Sequence, residues 1–194
     1  MKKIVFATNN LHKLSEAKAL LENVFDIVSL KELGFEGDIP ETGKTLAENA
    51  SQKSHFIFER YGVDCFADDT GLEVDALGGE PGVYSARYAG EHATYEENVT
   101  KLLQTLKDES QRKARFKTVI SLILDGKEFQ FEGSVDGRIL ERRSGDSGFG
   151  YDPVFLPDGY TESFAGMPAE LKNRISHRGK AVEKLVSFLK LSDR

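Results

Sequence analysis

Short apolar runs alternate along this chain with amphipathic helical stripes, and this alternation constrains the fold more than any other feature of the sequence. Residues 3–8 are typical of a buried strand, and apolar residues within 14–24 then recur at helical spacing. Residues 116–124 form a further apolar run, and the Asp125-Gly126 pair after it is a strong signal for an antiparallel hairpin. We therefore predict a single α/β domain with a mixed β-sheet flanked by helices.

The remaining segments extend this pattern. Residues 25–30 and 63–67 are predicted strands, and the second of these is expected to end where Asp68 begins. Residues 31–44 and 71–90 are rich in glycine; the first segment is predicted to be loop-like and the second to be mostly loop. Thr45 and Glu48 have the spacing of a capping box, which predicts a helix start.

Composition and charge exclude several classes of protein. With 194 residues and 39% hydrophobic residues, the chain is expected to form one globular domain and not a disordered one. No apolar run approaches the ~18 residues of a membrane span, and the N-terminus lacks the apolar core of a signal peptide. One cysteine and a net charge of −6 disfavour a disulfide framework and a nucleic-acid-binding surface. We expect a soluble cytoplasmic protein.

The first candidate for chemistry is the polar segment Thr8–Lys13, between the first strand and the first helix. Unpaired amides at a helix N-terminus favour an anion, and Lys13 adds a positive charge. The segment is suited to binding a phosphate. The competing interpretation is that an asparagine merely caps the helix beside a solvated lysine.

The second candidate is Asp68-Asp69-Thr70-Gly71, which follows an apolar strand. Successive strand residues point to opposite faces, so the two carboxylates are expected to have different roles. One of them is suited to Mg²⁺, together with substrate phosphates, and the other to orienting water. Glu41 and Glu48 are further oxygen donors nearby in the sequence, and an acidic turn is the competing interpretation.

Two weaker candidates lie in the C-terminal half. Residues 147–153 combine glycines with aromatic residues that are able to stack on a base. Residues 176–180 place a histidine and an arginine before the last helix, where they can bind a carbonyl or a phosphate.

Six segments, in order along the chain, resemble the inosine triphosphate pyrophosphatase family, whose members hydrolyse noncanonical purine nucleotides. They are Thr8-Asn-Asn-Leu-His-Lys13, Glu41–Ala50, Ala67-Asp-Asp-Thr-Gly-Leu72, Leu77–Gly90, Gly148-Phe-Gly-Tyr-Asp-Pro153 and Ser176-His-Arg178. The resemblance implies one domain over residues 1–194, with a long, mixed, curved sheet and two lobes around a nucleotide cleft. It also implies a homodimer and Mg²⁺-dependent hydrolysis of ITP, dITP and XTP to the monophosphate and pyrophosphate.

The resemblance also assigns roles to residues. Asp69 is implied as the catalytic base and a metal ligand, and Glu41 as a second metal ligand, with Glu48 as its competitor. The implied substrate-binding residues are Thr8, Asn9, Asn10, Leu11, His12, Lys13, Thr70, Phe149, Gly150, Tyr151, Asp152, Lys172, His177 and Arg178.

Three alternatives remain open at this stage. A related pyrophosphatase for modified pyrimidine nucleotides is disfavoured by the Ser-His-Arg and Phe-Gly-Tyr-Asp segments. A nucleotide sensor without turnover is disfavoured because Lys13, Asp68 and Asp69 are all present. A nucleic-acid-binding protein is disfavoured by the net charge of −6.

Overall fold

A computed structural model of the chain describes residues 1–192. Helices and strands interleave in it, as the apolar pattern predicts. The strands are β1 (Lys2–Phe6), β2 (Phe25–Val28), β3 (Cys65–Val74), β4 (Pro81–Gly82), β5 (Lys113–Leu124), β6 (Lys127–Ile139) and β7 (Phe155–Pro157). The helices are α1 (Leu11–Leu21), α2 (Leu30–Leu33), α3 (Leu46–Tyr61), α4 (Tyr95–Thr105), α5 (Ala169–Ile175) and α6 (His177–Ser192).

The strands form a mixed sheet, which confirms the predicted fold class. Their order is β2-β1-β3-β5-β6-β7, and β4 pairs with β3. β1 is parallel to both β2 and β3, whereas the β3–β4 and β6–β7 pairs are antiparallel. β5 and β6 are joined by Asp125-Gly126, and both residues have positive φ angles of 49° and 74°. This is the conformation that a two-residue hairpin of this sequence requires.

The described chain divides into two compact units. The first contains residues 1–69, 118–133 and those from 178 onward, and the second contains residues 70–117 and 134–177. Two apolar clusters form the core of the first unit, around Phe6 and Leu21 in one and around Ile57 and Cys65 in the other. One cluster, which includes Leu102 and Phe164, forms the core of the second unit.

Three sequence predictions about the elements are wrong in part. The strand predicted for residues 63–67 instead continues through Asp68 and Asp69 to Val74, because both carboxylates are buried against polar partners. Residues 71–90 are not loop throughout, since β3 reaches Val74 and β4 covers Pro81–Gly82. Residues 31–44 are not loop throughout either, since the short helix α2 reaches Leu33. Ser29 and Glu32 form a capping box at its start, and Gly34 ends it with a left-handed φ of 82°.

No helix within residues 1–192 combines the length and the apolar character needed to cross a bilayer.

Cys65 is expected to be unreactive in the folded chain. Its side chain is fully buried, and burial, together with the charge of Asp64, raises the pKa of the thiol to about 12. Because the thiolate is the nucleophile, Ellman's reagent at pH 8 should label the thiol only as fast as the chain unfolds. Rapid labelling of native protein, at the rate of the urea-unfolded chain, would contradict this description of Cys65.

Candidate active site

The segment Thr8–Lys13 forms the N-terminal cap of α1. The Asn10 side-chain oxygen accepts hydrogen bonds from the amides of His12 and Lys13, at 3.0 and 3.1 Å. The Asn10 amide in turn donates to the Thr8 hydroxyl at 3.1 Å, and the Asn9 side chain donates to the Gly37 carbonyl. Leu11 is exposed. Sequence reasoning therefore predicted the cap and the helix start correctly.

Asp68 is the centre of a buried charge cluster in the first unit. One carboxylate oxygen accepts a hydrogen bond from Lys13 Nζ at 3.0 Å, and the other accepts two from the Arg178 guanidinium, both at 3.0 Å. Arg178 is also ion-paired with Glu16. Burial acts to raise the pKa of Asp68, but the charges of Lys13 and Arg178 outweigh it and hold that pKa well below its usual range.

Asp69 has a different set of partners, as expected for the next residue along a strand. Its Oδ2 accepts a hydrogen bond from the Asn49 side chain at 3.0 Å, and its Oδ1 lies 3.7 Å from Lys53 Nζ. Lys53 also forms an ion pair with Glu41. A second charge cluster therefore consists of Asp69, Lys53 and Glu41.

Burial raises the pKa of Asp69, although the charges of Lys53 and Lys13 oppose this effect. Burial also acts to lower the pKa of Lys53, but Asp69 and Glu41 reverse that effect and raise it. The two aspartates are thus held in distinct electrostatic environments. Asp68 is firmly ionised between two cations, whereas Asp69 is the carboxylate whose proton affinity is increased.

Sequence reasoning missed Asn49, Lys53 and Glu16. The first two lie four residues apart on the buried face of α3, among apolar residues such as Leu46 and Ile57. A buried amide and a buried lysine in an apolar stripe need partners, and this interruption of the stripe was the available signal. Glu16 is the single acidic residue of α1, and nothing in its local sequence shows that it pairs with Arg178, which is far along the chain.

In the second unit, residues 149–152 form a closed turn around the Asp152 carboxylate. Its Oδ2 accepts hydrogen bonds from the Phe149 amide at 2.8 Å and from Lys172 Nζ at 2.6 Å. Lys172 Nζ also lies over the Phe149 ring, 4.9 Å from the ring centroid. Phe149 and Gly150 remain half-buried, whereas Asp152 and Lys172 are buried.

The other predicted site residues of the second unit make separate contacts. The Tyr151 side chain is buried, and its hydroxyl donates to the Ser85 carbonyl at 2.7 Å. The His177 ring stacks on Phe116, with ring centroids 4.5 Å apart. Thr70 follows Asp69 in β3 and is half-buried.

The family model for the Ham1 family matches residues 4–188. This chain belongs to the Ham1 family. The match confirms the resemblance predicted from the six segments.

Similar proteins support the same membership in the Ham1 family. A dITP/XTP pyrophosphatase of Porphyromonas gingivalis is 56% identical over 191 residues, which cover 97% of this chain and 98% of that protein. A dITP/XTP pyrophosphatase of Flavobacterium johnsoniae is 50% identical over 187 residues, covering 96% and 97%. The structure of the Staphylococcus aureus Ham1 protein has a TM-score of 0.88 and 41% identity, and the match covers 98% of this chain and 100% of that one.

The carboxylates of Asp69 and Glu41 suit a hard divalent cation whose remaining ligands come from the substrate. Asp69 and Glu41 direct carboxylate oxygens toward the same ammonium group, Lys53 Nζ. Within residues 1–192, no group of three or more His, Cys, Asp or Glu side chains is placed to hold a metal ion. Mg²⁺ binds through one or two carboxylates plus substrate phosphates, so two carboxylates are sufficient.

The structure also distinguishes Glu41 from Glu48. The Glu48 carboxylate accepts hydrogen bonds from the Lys44 and Thr45 amides, at 2.6 and 3.3 Å, in the predicted capping box. Glu41 instead shares Lys53 with Asp69. These contacts favour Glu41 as the carboxylate that accompanies Asp69.

Replacing Asp152 with alanine is expected to destabilise the chain strongly. The change leaves the buried Lys172 ammonium without its carboxylate, and breaking such a pair costs about 3–5 kcal/mol in the free energy of unfolding. Urea unfolding followed by circular dichroism measures the change. Asp136→Ala is the matched control, because its pair with Arg115 is about half exposed on both sides and should contribute about 1 kcal/mol or less. Equal losses in both variants would contradict the structural role of the Asp152–Lys172 pair.

Proposed function

We propose that this chain is a Mg²⁺-dependent pyrophosphatase that hydrolyses ITP, dITP and XTP to the corresponding monophosphate and pyrophosphate. One observation carries the proposal. Two adjacent carboxylates of β3 are separated into different environments, with Asp68 held by Lys13 and Arg178 and with Asp69 beside Lys53 and Glu41. Such a pair provides one fixed anion and one carboxylate with a raised proton affinity. The names of the relatives in Porphyromonas and Flavobacterium support the choice of substrate.

The proposed step is attack of a water oxygen on the α phosphorus. The new bond joins that oxygen to the α phosphorus, the bridging bond to the β phosphate breaks, and pyrophosphate leaves with the bonding electron pair. Asp69 orients the water and accepts its proton as the general base. Asp69 and Glu41 would hold Mg²⁺, which supplies charge neutralisation to the phosphates when bound.

The other residues of the proposed site bind substrate. We assign the triphosphate to residues 8–13, because the start of α1 carries the positive end of the helix dipole. Lys13 Nζ donates to Asp68, but an ammonium group has three donors and can also donate to a phosphate. We assign the base to Phe149, Gly150, the Tyr151 backbone, Asp152 and Lys172. Thr70 and His177 are proposed substrate contacts. Arg178 acts first as the partner that fixes Asp68, and its direct contact with the nucleotide remains a prediction.

The wider assignments belong to the same proposal. We propose that residues 1–194 form one catalytic domain, that two copies assemble into a homodimer and that the protein acts in the cytoplasm on the nucleotide pool. Size-exclusion chromatography with light scattering tests the dimer.

The proposed function is tested by incubating the purified chain with a panel of nucleoside triphosphates, with MgCl₂ or with EDTA. ITP, dITP and XTP should each yield monophosphate and pyrophosphate in equal amounts, and EDTA should abolish turnover. Modified pyrimidine triphosphates form a second arm of the panel. Turnover of that arm alone would contradict the proposed substrate class.

A further inference from the structure

The Phe149 ring, to which the proposed function assigns the base, has an aromatic neighbour that no family segment identifies. The Tyr95 ring lies with its centroid 5.9 Å from that of Phe149 and is tilted by 49°. This separation and tilt are within the range of favourable aromatic pairs. Lys172 Nζ lies over the same Phe149 ring at 4.9 Å, so two side chains of the second unit act on its orientation.

Tyr95 is held on a well-defined backbone. It is the first residue of α4, directly after the N-cap Thr94, and Thr94 and Glu97 form a complete capping box there. The Tyr95 side chain is nevertheless 40% exposed, so its contribution to the apolar core is limited. Because the capped helix start already fixes the Tyr95 backbone, contact with the Phe149 ring orders only the side-chain torsions of Tyr95.

Other contacts fix the spacing between α4 and the Phe149 segment. Arg143 Nη2 donates to the Glu96 carbonyl at 3.1 Å and to the Thr100 hydroxyl at 2.8 Å. It also forms an ion pair with the Glu96 carboxylate at 3.0 Å. Arg143 therefore links the segment before Phe149 to the first two turns of α4, where Tyr95 is the first residue.

The backbone before Phe149 is equally constrained. Gly148 has a φ of 78°, and a Cβ at this position would lie 2.2 Å from Asp152 Oδ2. Only glycine fits this conformation and this close approach. With its backbone set by Gly148 and Asp152, the remaining freedom of Phe149 is in the torsions of its side chain, which Tyr95 and Lys172 restrict.

We propose that Tyr95 is a positioning residue for base binding, acting through Phe149. It holds the Phe149 ring in the orientation in which a purine stacks on it, and it does not contact the reacting phosphates. This inference rests on the proposed function, because it deepens the assignment of the base to Phe149. A residue of this kind contributes equally to the ground state and the transition state, so its loss changes KM and leaves kcat intact.

The test is steady-state kinetics with ITP on the full chain. Tyr95→Ala should raise KM by about 3- to 10-fold, the range expected for one aromatic pair, and should leave kcat within about 2-fold of the wild type. Tyr95→Phe keeps the ring and should restore the wild-type KM. Tyr160→Ala is the matched control, because Tyr160 is a similarly exposed tyrosine of the second unit at 38%, and it should leave both constants unchanged.

Three results would overturn the inference: an unchanged KM in Tyr95→Ala, a parallel fall in kcat, or a failure of Tyr95→Phe to restore KM. If Tyr95→Ala does not fold, Tyr95→Leu replaces it, with the same expected rise in KM. Failure of the proposed function is seen separately, because the wild-type chain would then not turn over ITP at all.

Discussion

Replacing Asp69 with asparagine is expected to lower kcat for ITP by at least about 100-fold, because an oriented base typically contributes 10²–10⁴-fold and metal-held geometry adds to that. The amide keeps the shape of the side chain but cannot accept a proton from water, and it is a poor ligand for Mg²⁺ beside the Glu41 carboxylate. Nucleotide binding should persist, since residues 8–13, Phe149 and Lys172 are unchanged. Steady-state kinetics at saturating Mg²⁺ measures kcat, and isothermal titration calorimetry measures ITP binding.

The matched control is Asp26→Asn, which makes the same chemical change at an exposed strand position of the first unit. It should leave both kcat and binding unchanged. Loss of turnover with retained binding in Asp69→Asn alone distinguishes an enzyme from a nucleotide sensor. Near-normal turnover in Asp69→Asn would show that Asp69 is not the catalytic carboxylate and would shift that role to Asp68.

ATP is expected to be a poor substrate, with a kcat/KM about 10⁴-fold or more below that of ITP, as for sites built to bind a group that the competitor lacks. Inosine carries a carbonyl at position 6, which accepts hydrogen bonds, whereas adenosine carries an amino group, which donates them. Lys172 Nζ, which lies over the Phe149 ring, has donors and no acceptor. An amino group brought to Lys172 Nζ offers another donor and no acceptor, so no hydrogen bond forms between the two groups.

The structure reduces the number of hydrogen-bond donors that can bind the position-6 carbonyl and so distinguish ITP from ATP. The Phe149 amide is bound to Asp152, and the Arg178 guanidinium is bound to Asp68 and Glu16. Lys172 Nζ also donates to Asp152, but an ammonium group has three donors, so Lys172 keeps donors for the carbonyl and is the better candidate. Parallel kcat/KM measurements for ATP and ITP test this prediction, and comparable values would contradict the assignment of the base to this turn.

Local chemistry was sufficient to predict several elements of the fold. The capping box of Thr45 and Glu48 and the Asp125-Gly126 hairpin each depend on neighbouring residues, and both are confirmed. The end of β3 depends on distant residues instead. Asp68 and Asp69 resemble an acidic turn in isolation, and they continue a buried strand only because partners up to 110 residues away neutralise them.

The candidate site shows the same division. The segment around Asp69 was identified from its position after an apolar strand, and the different environments of Asp68 and Asp69 follow from strand alternation. The two cations that define these environments, Lys53 and Arg178, were missed or given another role. Their side chains are ordinary in the sequence, and only the folded chain shows that both are buried against carboxylates.

The position of bond cleavage tests the central claim most directly. ITP is hydrolysed with MgCl₂ in water enriched in ¹⁸O, and the products are followed by ³¹P NMR, in which a directly bonded ¹⁸O shifts the resonance. Attack at the α phosphorus predicts IMP and pyrophosphate in equal amounts, with the isotope shift on IMP alone. Label in pyrophosphate, or release of IDP and orthophosphate, would contradict the account.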